Sequence, residues 1–282
     1  MTKEEKWTNI IQSNTAVSVN SLKDVWQYRD LLWMFVKRDI VTNYKQTILG
    51  PLWFFIQPAM TTALFVFINR AANTSTNGVH PILFFLIGVT AWNYFAECLT
   101  KTSTTFKDNA YIFGKVYFPR LILPLSVVFS SLIKFFIQFF LFLITLLVLL
   151  WMGKTTLHLQ PTILLFPLLI IIMAGLGLGA GMIITSLTTK YRDLALLVQF
   201  GVQLLMYGTL AIPLSSIKNE WMQQILLSNP MIPIIETFRQ AFFNDSAFNI
   251  NHLLYSVTIM VFLLLIGFYS FSKTEKTFTD TI

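Results

Sequence analysis

Two charged side chains stand inside apolar stretches of this chain, Glu97 in AWNYFAECLTK and Lys134 in SSLIKFFIQ. An ionised group at membrane depth is costly and marks an ion pair, a conduction path or a relay. A Glu97–Lys134 pair, or Lys134 reaching toward headgroups, is the structural reading, and a part in conduction or coupling is the functional one. Two further sets repeat every four residues: Trp53, Gln57 and Thr61 in one stretch, Gln199, Gln203 and Tyr207 in another, with Phe200 alongside. That spacing puts each set on one face of a helix. Polar groups in hydrocarbon cost free energy unless they meet partners or water, so neither face suits lipid. Glutamine and tyrosine form hydrogen bonds, and tryptophan and phenylalanine offer apolar ring faces, which together suit the wall of a polar channel. Glutamines bonded to neighbouring helices are the plainer alternative.

Other chemistry fails on spacing. WMGKTT, residues 151–156, ends like a phosphate-binding loop, but Val148 stands where that loop needs its first glycine. GLGLGAG, residues 175–181, misses the dinucleotide fingerprint. Its pairs Gly175/Gly179 and Gly177/Gly181 instead let helices approach closely. His80, His158 and His252 lie far apart without ligand spacing, and the single cysteine, Cys98, allows no disulfide within the chain. The sequence therefore assigns no catalytic residue, metal site or cofactor to this chain.

The elements that must position those stripes follow from composition. Of 282 residues 55% are hydrophobic and 12% charged, and the mean hydropathy is +0.65. A soluble domain carries roughly 25% charged residues, so this is an integral membrane protein. About 20 apolar residues span the hydrocarbon as a helix. Six segments qualify: 52–69, 82–100, 121–151, 162–187, 194–214 and 252–272. The reading is an all-α membrane protein with a polar tail over 1–25, one membrane domain over 26–272 and a short tail over 273–282. No secretory signal opens the sequence. With the N-terminus inside, fifteen of the 20 lysines and arginines face the cytosol, four (Arg70, Lys154, Lys218, Arg239) face outward, and Lys134 lies within a span. Such asymmetry places both termini in the cytosol. It also accounts for the net charge of +7 without nucleic acid, through anionic headgroups of membrane lipids.

Between the spans, three segments are unusual. In 26–47, Trp33, Val36, Ile40 and Tyr44 fall on one helical face and Arg38, Thr42 and Lys45 roughly opposite, as in a helix lying in the interface. Leu31, Met34 and Phe35 spoil that pattern and are expected to touch protein. Gly50-Pro51 ends this helix and starts the first span. The cytosolic stretch 101–120 offers Phe106, Ile112 and Phe113 to a partner. The outer stretch 213–251, broken by Pro213, Pro230 and Pro233, is too apolar for a free loop and reads as re-entrant helices buried in protein.

Four of these stretches also carry a resemblance: YRDLLWMFVKRDIVTNYKQTILGPLW, KVYFPRLILP, KYRDL and NPMIPIIETFRQ. Over residues 28–272 the chain resembles the permease subunits of polysaccharide-exporting ATP-binding-cassette transporters, which move O-antigen, capsule or teichoic-acid chains. The resemblance implies the cytoplasmic membrane of a bacterium, and a homodimer there enclosing a channel, lined by the Trp53–Thr61 and Gln199–Tyr207 stripes. It implies two copies of a separate ATPase, which carries the ATP and magnesium. Their docking would use Phe106, Ile112, Phe113, Tyr191, Arg192 and Asp193. Short outer gate helices would include Asn229, Pro230, Pro233, Glu236 and Arg239. The substrate would be a glycan on a polyprenyl pyrophosphate, and Arg29, Lys37, Arg38 and Lys45 stand at headgroup level where that anion enters. A related permease for a drug or a lipid, and a membrane-bound polyprenyl-glycan enzyme, are the alternatives; the enzyme would need clusters of acidic residues or histidines that this sequence lacks.

Overall fold

In a computed structural model of the chain, the described residues are 25–45, 48–74, 76, 78–113, 118–191, 193–210, 217, 219–243 and 249–278. Among them every regular element is a helix. Helix α1 is Arg29–Tyr44, α2 Trp53–Ala71, α3 Pro81–Ser103, and the short α4 and α5 are Thr105–Asp108 and Ala110–Phe113. Then come α6 Ile122–Trp151, α7 Phe166–Thr188, α8 Leu194–Leu210, α9 Glu220–Leu227, α10 Met231–Phe243 and α11 Ile250–Phe278.

Five helical stretches are long and apolar enough to cross a membrane: Gly50–Ala71, Pro81–Ser103, Ile122–Trp151, Pro161–Thr188 and Ile250–Glu275. Their ends fall within three residues of the segments expected from hydropathy. The remaining expected span, 194–214, corresponds to α8, which has 17 residues, with 211–216 outside the described residues. At 1.5 Å per residue those 17 residues reach about 25 Å, short of a hydrocarbon core of roughly 30 Å. Helix α11 continues to Phe278, past the boundary at 272 expected for the tail.

Prolines and one glycine set the starts. Pro81 opens α3, Pro167 stands in the first turn of α7, and Pro51 and Pro161 begin the single 3-10 turns that lead into α2 and α7. Proline is suited to a first turn because its missing N–H has no helical partner there. Gly50 has φ +48°, a left-handed conformation that glycine adopts without strain. Helix α1 already ends at Tyr44, so Gly50-Pro51 starts the stretch that leads into α2 but does not end α1.

Helix α3 is the axis of the fold: 72% of its apolar window is buried, against 28% for α2 and α6 and 17% for α11. It touches α2, α6, α7, α8 and α10. Part of the core around it is a phenylalanine cluster in which Phe139 meets Phe166 tilted, Phe142 meets Phe242 and Phe166 meets Phe238 edge-on, and Phe139 stacks on Phe142. Helix α7 joins α3 to α11 through its two glycine faces. A Cβ on Gly177 would lie 2.6 Å from the Cβ of Cys98 on α3, and one on Gly179 2.7 Å from the Leu263 backbone on α11. Both small-residue pairs seen in the sequence are contact seams, one for each neighbour.

On helix α1 Phe35 and Leu31 touch protein as expected, whereas Met34 is 67% exposed. Leu32, Phe35 and Val36 are buried against Phe118, Ile122 and Leu123, whereas Trp33 is 56% exposed beside Phe129. The side chain of Tyr44 lies outside the described residues. The start of α6 supplies an apolar protein surface, and α1 turns its most continuous apolar edge toward it.

Candidate functional site

Near the α1 end of the bundle, the inner end in the topology expected from the sequence, α2, α3 and α6 surround a cavity of about 320 Å³. Trp53, Phe54 and Gln57 line it from α2, Asn93 and Glu97 from α3, and Lys134 and Gln138 from α6. Lys134 donates to Glu97 Oε1, and Lys101, one turn further along α3, reaches the same oxygen at 2.6 Å. Asn93 Nδ2 donates to Gln138 Oε1 at 3.1 Å. Helix spacing by four explains the convergence: Asn93, Glu97 and Lys101 form one stripe, and Ser126, Ser130, Lys134 and Gln138 form another. The sequence reading found Glu97 and Lys134 as charges but missed Asn93 and Gln138. The four-residue rule that picked out α2 and α8, applied to α3 and α6, finds them.

Lys101 also lines a second cavity of about 360 Å³, between α1, α4–α5 and α6. Arg38 crosses this cavity's rim. It pairs with Asp39 at 2.8 Å, donates to Asn109 Oδ1 at 3.2 Å and lies 4.7 Å from the centre of the Phe35 ring. Of the four expected entrance cations, Arg29, Lys37 and Lys45 are exposed, with Arg29 over the Trp26 ring. Arg38 is half-buried and ties α1 to the loop after α4. Charges of alternating sign therefore run from Lys134 through Glu97 and Lys101 to Asp39 and Arg38.

The expected channel residues divide. Trp53 and Gln57 line the inner cavity, while the Thr61 hydroxyl donates to the Gln57 carbonyl at 3.0 Å. On α8, Gln199, Phe200 and Gln203 are exposed, and Tyr207 meets Phe65 of α2 with ring centres 5.8 Å apart. The two stripes share no described cavity within one chain. Leu196, Leu197, Leu204 and Leu205 widen the exposed face of α8.

The expected coupling residues divide as well. Phe106 is 1% exposed and stacks on Phe271 with ring centres 4.6 Å apart, so its ring serves this chain's own core. Ile112 packs on the α1–α6 cluster. Tyr111, which sequence reasoning passed over, is 63% exposed. Tyr191 is exposed under the Lys190 ammonium, and Asp193 is exposed at the start of α8. The Phe113 side chain and Arg192 lie outside the described residues.

In the outer segment α10 is buried almost end to end, whereas α9 buries no residue. Asn229 accepts from the Met231 N–H, as a helix-capping side chain does, and donates to Thr209 of α8 at 2.8 Å. The Pro230 carbonyl accepts from Ser256 of α11, and the buried Pro233 offers its carbonyl to Thr237. Arg239 is 1% exposed, pairs with Glu236 at 2.8 Å and lies 3.6 Å over the Phe84 ring. Its Nε donates to the Phe84 carbonyl at 3.3 Å. This buried cation fixes α10 to α3. At the same end His80 sits below its ordinary imidazole range, first through burial and then through Lys154 and Arg70 nearby.

Residues 30–243 match the family model described as ABC-2 type transporter. The chain belongs to that family. It is also similar to curated relatives along nearly its whole length. An O-antigen export system permease protein RfbA of Myxococcus xanthus is 25% identical over 266 residues, 94% of this chain and 100% of that protein. A protein of the same description from Klebsiella pneumoniae is 26% identical over 256 residues, 90% of this chain and 95% of that relative. Family and apolar helices together make the chain a multi-pass membrane protein and an ABC-2 permease.

Proposed function

We propose that this permease exports a polyprenyl-linked polysaccharide across the bacterial cytoplasmic membrane, as a homodimer driven by two copies of a separate ATPase. The relatives named for O-antigen export support the substrate class, since they match 90% or more of the chain. The single observation that carries the reading is the polar-aromatic cavity at the inner end, a surface suited to hydroxylated rings inside an otherwise apolar bundle. In this reading α8 completes six spans, both termini are cytosolic, and α1 lies at the inner headgroup level. The exposed face of α8, with Gln199, Phe200 and Gln203, meets its symmetry mate across the channel. Arg29, Lys37 and Lys45 meet the pyrophosphate of the lipid carrier, with Arg38 holding α1 in place. Asn229, Pro230, Pro233, Glu236 and Arg239 fix the outer gate, with α9 as its movable part. ATP and magnesium belong to the partner, which docks on Tyr111 and on the 190–193 turn. The plainest test deletes the chain from its host and measures surface glycan and the intracellular lipid-linked pool. Loss at the surface with accumulation inside is expected, with recovery on re-expression; unchanged surface glycan contradicts the reading.

A further inference from the structure

We infer that the cavity between α2, α3 and α6 is a subsite for one pyranose unit of the transported glycan, an inference that rests on the exporter reading above. Four observations carry it. The volume, about 320 Å³, lies at the low end of the roughly 300–1,000 Å³ of ligand sites. It admits one ring and no extended chain.

Second, the Glu97 carboxylate is itself part of the cavity wall. Glu97 accepts from both Lys134 and Lys101. A free anion would meet the Glu97 carboxylate, whereas a neutral hydroxylated ligand can bond to both members of the pair. Third, Asn93 gives one N–H to the Gln138 side-chain oxygen. A primary amide carries two donors and an acceptor oxygen with two lone pairs. The two amides therefore retain capacity to clamp a vicinal diol, the arrangement in which a sugar presents neighbouring hydroxyls. Fourth, Trp53 at the mouth is 46% exposed while Phe54 beside it is buried. A half-exposed indole offers an apolar face to the C–H side of a ring. Apolar cargo would leave the Gln57 amide and the spare donors and acceptors of Asn93 and Gln138 unmet, and each unmet polar group costs about 1–3 kcal/mol.

The subsite stands close to the inner boundary. Trp53 is the first residue of α2, and Glu97 lies six residues before the end of α3 at Ser103, about 9 Å along the axis. The sugar it holds is therefore one near the lipid carrier, gripped before the chain threads outward.

The test uses the permease purified with its ATPase in lipid nanodiscs. Two probes are compared, lipid-linked glycan extracted from the host and polyprenyl diphosphate without sugar. Asn93→Leu and Gln138→Leu should each raise the glycan concentration for half-maximal ATP turnover by about threefold to tenfold. Maximal turnover should stay within about twofold, and the response to the sugar-free probe should not move. Trp53→Leu, at an exposed position with little folding risk, should give the same split, and Trp53→Phe should restore it. Unshifted variants overturn the subsite, and so does an equal shift with both probes, which would place the diphosphate there. A wild-type complex that ignores the glycan overturns the exporter reading, and this site with it.

Discussion

Among the described residues, two of the acid–base pairs on apolar helices differ in what surrounds them. At the outer end Glu236 and Arg239 sit three residues apart on α10, and Arg239 is sealed beneath the Phe84 ring with its Nε on a backbone carbonyl. At the inner end Glu97 and Lys134 join two helices and line a cavity, with Lys101 sharing the carboxylate. The charges are the same; the surroundings are not. A buried pair closed in by a ring and a carbonyl fastens one helix to another. A pair that faces a cavity keeps lone pairs and protons available to a ligand. Removing one partner of a buried pair costs about 3–5 kcal/mol, because the other charge is left uncompensated.

The largest effect is therefore expected from Arg239→Leu, which takes the guanidinium from Glu236 and from the Phe84 carbonyl that ties α10 to α3. Folded protein recovered in detergent should fall several-fold, in line with a loss of about 3–5 kcal/mol. Wild-type yield and thermal midpoint would break the comparison at its outer end. Gly88→Ala probes the same contact from α3. Its new Cβ would lie 2.8 Å from Leu210 and 3.3 Å from Arg239 Nη2, and crowding of this kind costs about 1–3 kcal/mol. Lys134→Met is expected to cost less than Arg239→Leu, since Glu97 keeps Lys101 and the cavity admits water. A thermal midpoint lower than that of Arg239→Leu would reverse the order of the two pairs.

The smallest effect concerns His80. Its pKa lies below the ordinary 6.5, pushed down by burial, Lys154 and Arg70, so the folded state resists the proton. Stability is then intact above pH 6.5 and declines as the pH falls below that value, where the unfolded chain binds the proton first. Between pH 7 and pH 5 the wild type should lose more thermal stability than His80→Gln. Equal loss would remove the outer basic cluster from the account.

Much of this was legible in the sequence. Hydropathy located the five long helices because the bilayer demands one length of apolar run. The glycine pairs of α7 announced two close contacts, and they are the seams to α3 and α11. The inner pair was legible too, since Glu97 and Lys134 have nowhere else to go in hydrocarbon. What escaped depends on which way a face turns. Phe106 and Tyr111 lie in one short segment, and nothing local tells that the first stacks on Phe271 while the second points outward. The direction of α1 likewise follows from the apolar start of α6, over eighty residues away. Asn93 and Gln138 escaped for a smaller reason: their stripes become visible only when α3 and α6 are read against each other.

The most direct measurement replaces each pair whole, by residues of similar shape, and compares export per folded molecule. Exchanging a buried pair for apolar groups is often neutral or even stabilising by about 1–4 kcal/mol. Glu236→Leu with Arg239→Met should fold and export surface glycan at the wild-type rate per molecule. Glu97→Leu with Lys134→Met should fold equally well while export per molecule falls about tenfold or more, as lost hydrogen bonds to a substrate predict. Wild-type export from the inner double variant would contradict the account.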